Sequence, residues 1–434
     1  MNTRRTTFRL SQVPTWAILG MVASTALAVA CGSDDDSAGG GGGAGGASAG
    51  TGGKATGGAG GKATGGAPGA GAPGGGAAHG GAPGGGAPAN DAGSAGEEAG
   101  GAAGAGDAGA PSIDAFGVKL TNLVSDQDNV ATTKDDRLTN AWAIAINPGA
   151  QVFWVSSNHG GSTPVYGADG SIKPVDPTVA PVAGADPGSP TGQVFNAGAN
   201  FKGDKFIVDT EDGQIMGWAA GAAFTQRALT ATAIYKGLAL VGTGATQQLL
   251  AANFHDGSID IFDVNYAAVA APTAFKDATI PAGFAPFNVV AIADKVYVAY
   301  AKQDADKEDD VAGAGNGYVT VFDAAGVKVK SWLAGGKLNS PWAISPAPTG
   351  FGVPAGALLV GNFGDGKIGA YDADGTLIGE LTNSAGTPVV IPGLWDLKVG
   401  PPGTVDLSTT LFFSAGPAGE THGLFGKLEA AALQ

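Results

Sequence analysis

The sequence predicts an all-β fold built from repeats, because one strand–loop–strand unit recurs and no amphipathic helix separates its copies. Residues 360–372 read V-G-N-F-G-D-G-K-I-G-A-Y-D, and residues 251–263 read A-A-N-F-H-D-G-S-I-D-I-F-D. In both segments a short apolar run ends in Asn, a Gly/Asp turn follows, and an alternating run closes at Asp. Gly and Asp tolerate the positive φ of tight turns, so each segment is typical of two antiparallel strands joined by a short loop.

A longer four-strand pattern accounts for the chain from residue 118 to residue 428. Its opening strands lie near Trp142, Val194, Leu238, Phe287, Trp342 and Trp395. The first and last of these positions are 253 residues apart, which gives about 51 residues for each of five periods. Six such repeats, each able to form a four-stranded antiparallel sheet, predict a six-bladed β-propeller.

The two ends of the repeat array predict how the ring closes. An unmatched strand at residues 118–124 precedes the first repeat, and the sixth repeat ends after its third strand, G-L-F-G-K-L. Pairing these ends would remove an open sheet edge, so we expect the N-terminal strand to complete the last blade. The predicted domain covers residues 112–428, followed by a tail at 429–434. A linear pair of β-sandwiches is the alternative arrangement.

The N-terminal region predicts export. Arg4, Arg5 and Arg9 precede an uncharged run at residues 10–30, which is short and is followed at once by acidic residues. We therefore predict a signal peptide at residues 1–30. The run ends L-A-V-A-C at Cys31, the only cysteine, and this resembles the lipobox of bacterial lipoproteins, in which the cysteine is lipidated. An ordinary cleavage site with an incidental Cys31 is the alternative.

Residues 31–111 are Gly- and Ala-rich and hold few large apolar side chains, which predicts a disordered tether. Lipidated Cys31 and this tether would place the domain at the cell envelope, with the outer membrane or cell surface preferred. Because no cysteine follows residue 31, the domain must be stable without disulfides.

The formal net charge of −15 disfavours nucleic acid and anionic lipid surfaces as partners, since both attract Lys and Arg. Acidity that merely keeps an exported protein soluble is the simpler explanation. The expected partners are the membrane, through the lipid anchor, and an unidentified small molecule, carbohydrate or protein. We expect a monomer.

Polar loops of the repeats predict a candidate binding rim. In a propeller blade, the loop entering the first strand and the loop between the second and third strands lie on the same rim. The candidate rim residues in these loops are His159, Glu211, Asp212, Asn253, His255, Asp256, Asn362, Asp365 and His422. Imidazoles and carboxylates are ligands of divalent metals, so a cation such as calcium is the candidate cofactor. Ordinary surface histidines and turn-forming Asn and Asp residues are the alternative.

A second, weaker metal candidate is the acidic loop near residue 304. Its aspartates are Asp304, Asp306, Asp309 and Asp310. The loop is dense in oxygen ligands, but it lacks the Gly at the sixth position and the Glu at the twelfth position of an EF-hand. A solvated acidic loop is the favoured interpretation.

Three tryptophans, Trp142, Trp342 and Trp395, share the first-strand position. A repeated aromatic residue at one blade position favours packing between blades over a carbohydrate-binding wall. The predicted domain has no G-x-S-x-G motif, and the single cysteine, Cys31, precedes it, so nucleophilic hydrolysis lacks support.

Several longer runs carry a family resemblance. N-A-W-A-I, Y-K-G-L-A-L, L-V-G-N-F-G-D-G-K-I and A-G-P-A-G-E-T-H-G-L-F-G resemble an uncharacterised bacterial family of exported propeller-like proteins, some with a C-terminal sorting tail. The resemblance covers residues 118–428 and implies fold and export but no activity.

We therefore predict a ligand-binding or interaction module at the cell envelope. The alternatives are a metal-dependent hydrolase of lactones or esters that uses the polar rim, and a structural component of a surface layer. Whether the protein is an enzyme is left open by the sequence.

Overall fold

The computed structural model describes residues 114–184 and 187–434. The predicted signal peptide, Cys31 and the tether lie outside these residues and remain predictions. In the part of the chain that is described, no helix is both long and apolar enough to cross a membrane.

The regular secondary structure of the described chain consists of strands and three short 3₁₀ turns, which confirms the all-β prediction. The strands are β1 (Asp114–Ser125), β2 (Thr133–Lys134), β3 (Ala141–Asn147), β4 (Val152–Ser157), β5 (Val165–Tyr166), β6 (Pro190–Phe195), β7 (Phe206–Thr210), β8 (Gln214–Trp218), β9 (Thr225–Leu229), β10 (Tyr235–Val241), β11 (Gln248–Asn253), β12 (Ser258–Phe262), β13 (Phe284–Ile292), β14 (Lys295–Lys302), β15 (Tyr318–Asp323), β16 (Lys328–Ala334), β17 (Pro341–Pro346), β18 (Leu358–Asn362), β19 (Ile368–Tyr371), β20 (Leu377–Thr382), β21 (Leu394–Val399), β22 (Thr410–Ala415) and β23 (Leu424–Ala430). The helical elements are single 3₁₀ turns at Phe201–Gly203, Gly244–Thr246 and Thr349–Phe351.

The described strands form five sheets rather than six separate ones. Four are antiparallel: β3-β4-β5, β6-β7-β8-β9, β10-β11-β12 and β13-β14-β15-β16. The fifth is a nine-stranded sheet in the order β17-β18-β19-β20-β1-β23-β22-β21, with β2 beside β1. The sheet count therefore does not by itself establish six four-stranded blades.

The first and third sheets have a single bridge where a fourth strand was predicted. The bridges join Tyr166 to Ile172 and Phe262 to Ala268. In the third repeat the sequence there is A-A-V-A-A-P, and Ala is a poor strand former while Pro lacks the N–H that a ladder needs. Local composition thus explains why this outer strand is incomplete.

Strand β1 joins the last two repeats. Its first half pairs in parallel with β20, where Phe116 lies opposite Leu381. Its second half pairs antiparallel with β23, where Leu120 lies opposite Leu428. The pairing of the N-terminal strand with the sixth repeat was predicted, whereas its contact with β20 was not.

The opening strands of the repeats form a ring. β3, β6, β10, β13, β17 and β21 each lie against the next, and β21 lies against β3. Sheets arranged radially around such a ring form a β-propeller. Buried apolar clusters fill the spaces between successive sheets, and Phe153 of β4 meets Phe412 of β22 at 4.2 Å between ring centroids, which joins the first repeat to the last.

Every inner strand has a register irregularity close to its start. Such bulges bend a strand and re-aim the side chain at the bulge. In each inner strand, one residue is the first that the pairing with the neighbouring strand skips. These residues are Trp142, Thr191, Lys236, Phe287, Trp342 and Trp395. The six inner strands of the ring therefore each carry one residue at an equivalent bulge position.

Aromatic side chains close the centre of the ring. Trp142 and Trp395 stack with ring centroids 3.5 Å apart, and Phe363 stacks on Trp395 at 4.0 Å. Trp342 and Phe287 pack against the same indole. The three tryptophans are only 1–2 % exposed, which confirms that they pack between repeats rather than forming an open binding wall. We call this cluster the aromatic plug.

Candidate ligand site at one mouth of the channel

A buried lysine marks the candidate site. Lys236 occupies the bulge position that four other repeats fill with Trp or Phe, and it is 2 % exposed. Its Nζ donates to Glu211 Oε1 at 2.5 Å and to Asp309 Oδ1 at 3.0 Å. It also lies 5.3 Å from the ring centroid of Trp142, in the aromatic plug. Burial alone would lower the pKa of Lys236, but the two carboxylates outweigh it and raise the pKa, so the ammonium stays charged.

Two asparagines extend this ion pair into a network. Asn158 Nδ2 donates to Glu211 Oε2 at 2.9 Å. Asn140 Nδ2 donates to Asn158 Oδ1 at 3.2 Å and to Glu420 Oε2 at 2.7 Å, and Asn140 Oδ1 accepts from Trp395 Nε1 at 2.8 Å. The network thus connects Glu211, and through it Lys236, to the plug. We call Lys236, Glu211, Asp309, Asn140, Asn158 and Glu420 the polar cluster.

The backbone at two of these residues is unusual. Asn140 has a φ of 48° and Glu420 a φ of 67°, both in the left-handed region. Asn adopts this region more readily than most residues, whereas Glu seldom does. Backbone strain of this kind is concentrated at functional sites and at sites over-determined by their surroundings.

One carboxyl of the cluster, Glu420, has a strongly raised pKa. Burial raises its pKa to about 7, with Lys236 opposing the shift and Glu211 adding to it. A second carboxyl, Asp209, lies on β7 two residues before Glu211, and burial raises its pKa to about 7 as well. Asp209 accepts a hydrogen bond from Thr191 Oγ1 at 2.8 Å. Both carboxyls can therefore gain or lose a proton near pH 7.

Of the nine predicted rim residues, Glu211 belongs to the polar cluster, and Asp309 of the acidic loop joins it. The predicted rim residues outside the cluster are His159, Asp212, Asn253, His255, Asp256, Asn362, Asp365 and His422.

The three histidines have separate surroundings. His255 Nδ1 lies 3.1 Å from Asp256 Oδ1, and His422 Nδ1 lies 2.7 Å from Asp126 Oδ2. His159 is exposed. The partner of His422 comes from the loop after β1, so this histidine fastens the N-terminal strand to the last repeat.

The Asn and Asp residues of the repeated hairpins support their own turns. Asn253 Oδ1 accepts from the Asp256 N–H at 3.1 Å, and Asn362 Nδ2 donates to Asp365 Oδ1 at 3.1 Å. Asp212 accepts hydrogen bonds from Thr210 Oγ1 and Gln214 Nε2 of its own turn, and also from the N–H of Val182 in an earlier loop. These contacts match the turn-forming alternative weighed for them.

The aspartates of the acidic loop differ in their surroundings: some face solvent, and one contacts the polar cluster. Asp304 Oδ1 accepts from the Glu308 N–H at 2.9 Å, which closes the loop, and Asp306 is exposed. Asp309 reaches Lys236, and burial raises the pKa of Asp310. Across residues 114–184 and 187–434, no group of three or more His, Cys, Asp or Glu side chains could hold a metal ion.

Lys236 and Asn140 were missed by sequence reasoning. The third repeat was aligned through Leu238, two residues beyond the bulge position. A lone Lys in the apolar run Y-K-G-L-A-L was the available signal, because it takes the place of Trp142 and Trp395 in their repeats. Asn140 and Glu420 are 280 residues apart, and no local pattern links them.

Two solved structures superimpose on part of this chain. An α-L-arabinofuranosidase from Fusarium graminearum, in complex with an iminosugar inhibitor, superimposes with a TM-score of 0.50 over 72 % of this chain and 98 % of its own, at 10 % identity. The Dos1 propeller gives a TM-score of 0.39 over 68 % of this chain and 70 % of its own, at 11 % identity. At 10 % identity the likeness to the arabinofuranosidase concerns the fold alone.

Relatives by sequence come from a giant virus. Uncharacterized protein R648 of Acanthamoeba polyphaga mimivirus is 31 % identical over 344 residues, which are 73 % of this chain and 83 % of the relative. Uncharacterized protein L690 of the same virus is 30 % identical over 329 residues, covering 71 % of this chain and 85 % of the relative. No family model matches the chain.

These relatives correct one expectation from the sequence. The resemblance to an exported bacterial family is wrong, because the similar proteins found are viral. Short repeat motifs such as N-A-W-A-I report the strands and turns of a propeller and are poor indicators of lineage. The chain belongs to the family of these mimivirus proteins.

Proposed function

We propose that this protein is a six-bladed β-propeller that binds a small, hydroxyl-rich molecule at the channel mouth formed by Glu211, Asp309 and Glu420. The count of six is supported by the ring of six inner strands. It is also supported by the nine-stranded sheet, which divides at β1 into two antiparallel groups of four strands.

The observation that carries the proposal is the burial of Lys236. Removing an ammonium from water costs several kcal/mol, and an ion pair regains this only with good geometry. Trp or Phe fills the equivalent position in four other repeats, so an apolar residue would suit this fold. A charged group held at such a cost, in the same cluster as Glu420 with its raised pKa, is characteristic of a functional site.

The charges of the polar cluster indicate the ligand class. Three carboxyl groups face one ammonium, which disfavours an anion. The groups that solvent reaches are acceptors: the Asp309 side chain is 73 % exposed and the Glu211 side chain 28 %. Carboxylate oxygens accept hydrogen bonds from hydroxyl groups, so a sugar or polyol suits them. The structurally similar arabinofuranosidase binds an iminosugar, which makes pentoses a sensible first choice of probe.

Calorimetric titration with a panel of pentoses, hexoses, short oligosaccharides and alditols tests the proposal. We expect at least one of them to bind, and Glu211→Gln and Glu420→Gln to weaken that binding at least tenfold. Asp256→Asn is the matched control, because it removes a carboxylate from another rim loop, and it should bind as the wild type does. Absence of binding across the panel, or equal affinity in all four proteins, would refute the assignment.

A second candidate function is hydrolysis. Glu420, with a pKa of about 7, suits a general acid, and Glu211 lies across the two asparagines from it, so the mouth holds a pair of carboxyls such as glycoside hydrolysis uses. Aryl glycosides, lactones and aryl esters assayed with EDTA and with added Ca²⁺ separate this from the metal-dependent lactonase or esterase alternative. Turnover lost in Glu420→Gln but insensitive to EDTA supports the glycosidase, whereas turnover restored by Ca²⁺ supports the metal enzyme.

We further propose export and attachment to an envelope membrane through Cys31, with residues 32–111 as a spacer. The support is the apolar run before the L-A-V-A-C motif and the Gly- and Ala-rich composition that follows it.

A further inference from the structure

A cavity of about 370 Å³ lies in the channel on the far side of the aromatic plug from the polar cluster. Apart from Phe363, the plug is built from residues at the start of the inner strands. The cavity is lined by the later halves of β3, β6, β10 and β13, together with Trp342, Asp396 and Lys398. Trp342 thus separates two chemically different spaces, and nothing in the proposed sugar site uses the second one.

Two polar side chains of the cavity wall are already used by the backbone. Asn288 Nδ2 donates to the Trp342 carbonyl at 2.8 Å, and its Oδ1 accepts from the Val289 N–H at 2.8 Å. Asp396 accepts from the N–H groups of Ile144 at 2.9 Å and Leu397 at 2.8 Å. These two side chains form hydrogen bonds with backbone N–H and C=O groups of the inner strands, so they have little capacity left to bind a ligand.

Two other side chains have hydrogens to spare. Gln193 is 5 % exposed, and its Nε2 has no hydrogen-bond partner among the described residues. A buried donor left unpaired costs about 1–3 kcal/mol, so an acceptor is expected at this position. Lys398 Nζ lies 3.4 Å from Asp396 Oδ2, and its side chain is 34 % exposed, so it can donate to another acceptor as well. Both spare groups are donors, and one is cationic.

The rest of the wall is apolar. Ile144, Val194, Leu238 and Val289 contribute aliphatic side chains. Because water occupies about 30 Å³ per molecule, the cavity accommodates about ten non-hydrogen atoms with their hydrogens. An occupant needs an anionic acceptor at one end and an apolar body of this size.

We propose that this cavity binds an amphipathic monocarboxylate of about ten non-hydrogen atoms. The Lys398 ammonium attracts the carboxylate, the Gln193 amide donates to it, and the aliphatic wall covers the hydrocarbon chain. The inference is independent of the sugar site, since it uses neither its residues nor its ligand.

Octanoate, tested on the full chain by calorimetry and by saturation-transfer NMR, is the probe. Octylammonium is the charge-reversed control, with nearly the same hydrocarbon chain. We expect octanoate to bind at least tenfold more tightly than octylammonium. Gln193→Leu and Lys398→Met should each weaken octanoate binding at least tenfold. Gln193→Leu removes an unpaired donor, so its melting temperature without ligand should equal or exceed that of the wild type.

Two further variants keep the test decisive. Ala291→Trp places a bulky side chain at an exposed position of the cavity wall and should abolish binding while the protein remains folded. Lys119→Met removes an exposed lysine on β1, away from the cavity, and should leave octanoate affinity unchanged. Equal binding of octanoate and octylammonium, binding that survives Ala291→Trp, or no binding at millimolar octanoate would each overturn the proposal.

Discussion

Replacing Glu420 by Gln should make the protein more stable at alkaline pH and leave it nearly unchanged at acidic pH. Burial raises the pKa of Glu420 from 4.5 to about 7. The folded protein therefore holds this proton more tightly than the unfolded chain does, and folding becomes less favourable as the pH rises between these two values. The penalty is absent below about pH 4.5 and complete above about pH 7. Gln is always neutral, so the variant has no such penalty at alkaline pH. Its amide oxygen can still accept the hydrogen bond that Asn140 donates.

The size of the effect follows from the shift. At 1.36 kcal/mol per pKa unit, the difference amounts to about 3 kcal/mol at pH 8. A change of 1 kcal/mol moves the melting temperature of a large domain by roughly 2–4 °C, so Glu420→Gln should melt roughly 6–12 °C higher than the wild type at pH 8. At pH 4.5 the two proteins should melt within about 1 °C of each other.

Differential scanning fluorimetry in matched buffers from pH 4.5 to pH 8.5 measures this difference. Burial also raises the pKa of Asp209, from 3.8 to about 7, so Asp209→Asn should show a gain of the same sign that develops between these two pH values. Asp256→Asn serves as the control: the pKa of Asp256 lies below its usual range because hydrogen bonds from His255 and Asn253 outweigh partial burial, so this variant should gain nothing as the pH rises. A melting-temperature difference for Glu420→Gln that is the same at pH 5 and pH 8 would refute the assigned burial of this carboxyl.

Four other changes test the fold and the address of the protein. Trp395→Ala removes the indole against which the other aromatic rings of the plug pack. It should lower the free energy of unfolding, measured by urea titration, by about 3–5 kcal/mol, and Trp395→Phe should lower it less. Arg227→Met leaves Asp204, whose side chain is 1 % exposed, without its two-pronged partner, and should also cost about 3–5 kcal/mol; a double variant with Asp204→Leu should recover much of it. Deleting residues 114–125 exposes the edges of β20 and β23 and should lower the melting temperature and promote association, seen by light scattering; a monomer of wild-type stability would contradict the role of β1. Cys31→Ser should abolish incorporation of labelled palmitate when the chain is expressed in a bacterial host, and equal labelling of both proteins would exclude Cys31 as the lipidated residue.

Local pattern was sufficient to locate the strands. The six positions predicted for opening strands, from Trp142 to Trp395, all lie in strands of the structure, namely β3, β6, β10, β13, β17 and β21. Alternation of apolar and polar residues and the turn chemistry of Gly, Asn and Asp are properties of neighbouring residues, so they are readable without knowledge of the tertiary fold. The same reasoning correctly assigned the repeated tryptophans to packing.

The polar cluster was beyond such reasoning because its members come from different repeats. Lys236 meets Glu211 across 25 residues and Asp309 across 73, and Asn140 meets Glu420 across 280. The predicted rim ranked histidines as ligands because of their chemistry, yet His255 and His422 each have a single acidic neighbour instead. Which polar residues converge depends on the bulges that re-aim the inner strands and on closure of the ring.

The sequence by itself determined the strands, the repeat and the partner of the N-terminal strand, since each follows from periodicity and from the need to cover open sheet edges. Only the tertiary structure decided that β1 joins two repeats, that aromatic side chains separate the channel into two spaces, and that Lys236 is buried among carboxyls. The physical reason is that burial and electrostatics depend on which groups surround a residue in space. That information arises only when the ring closes and brings distant repeats together.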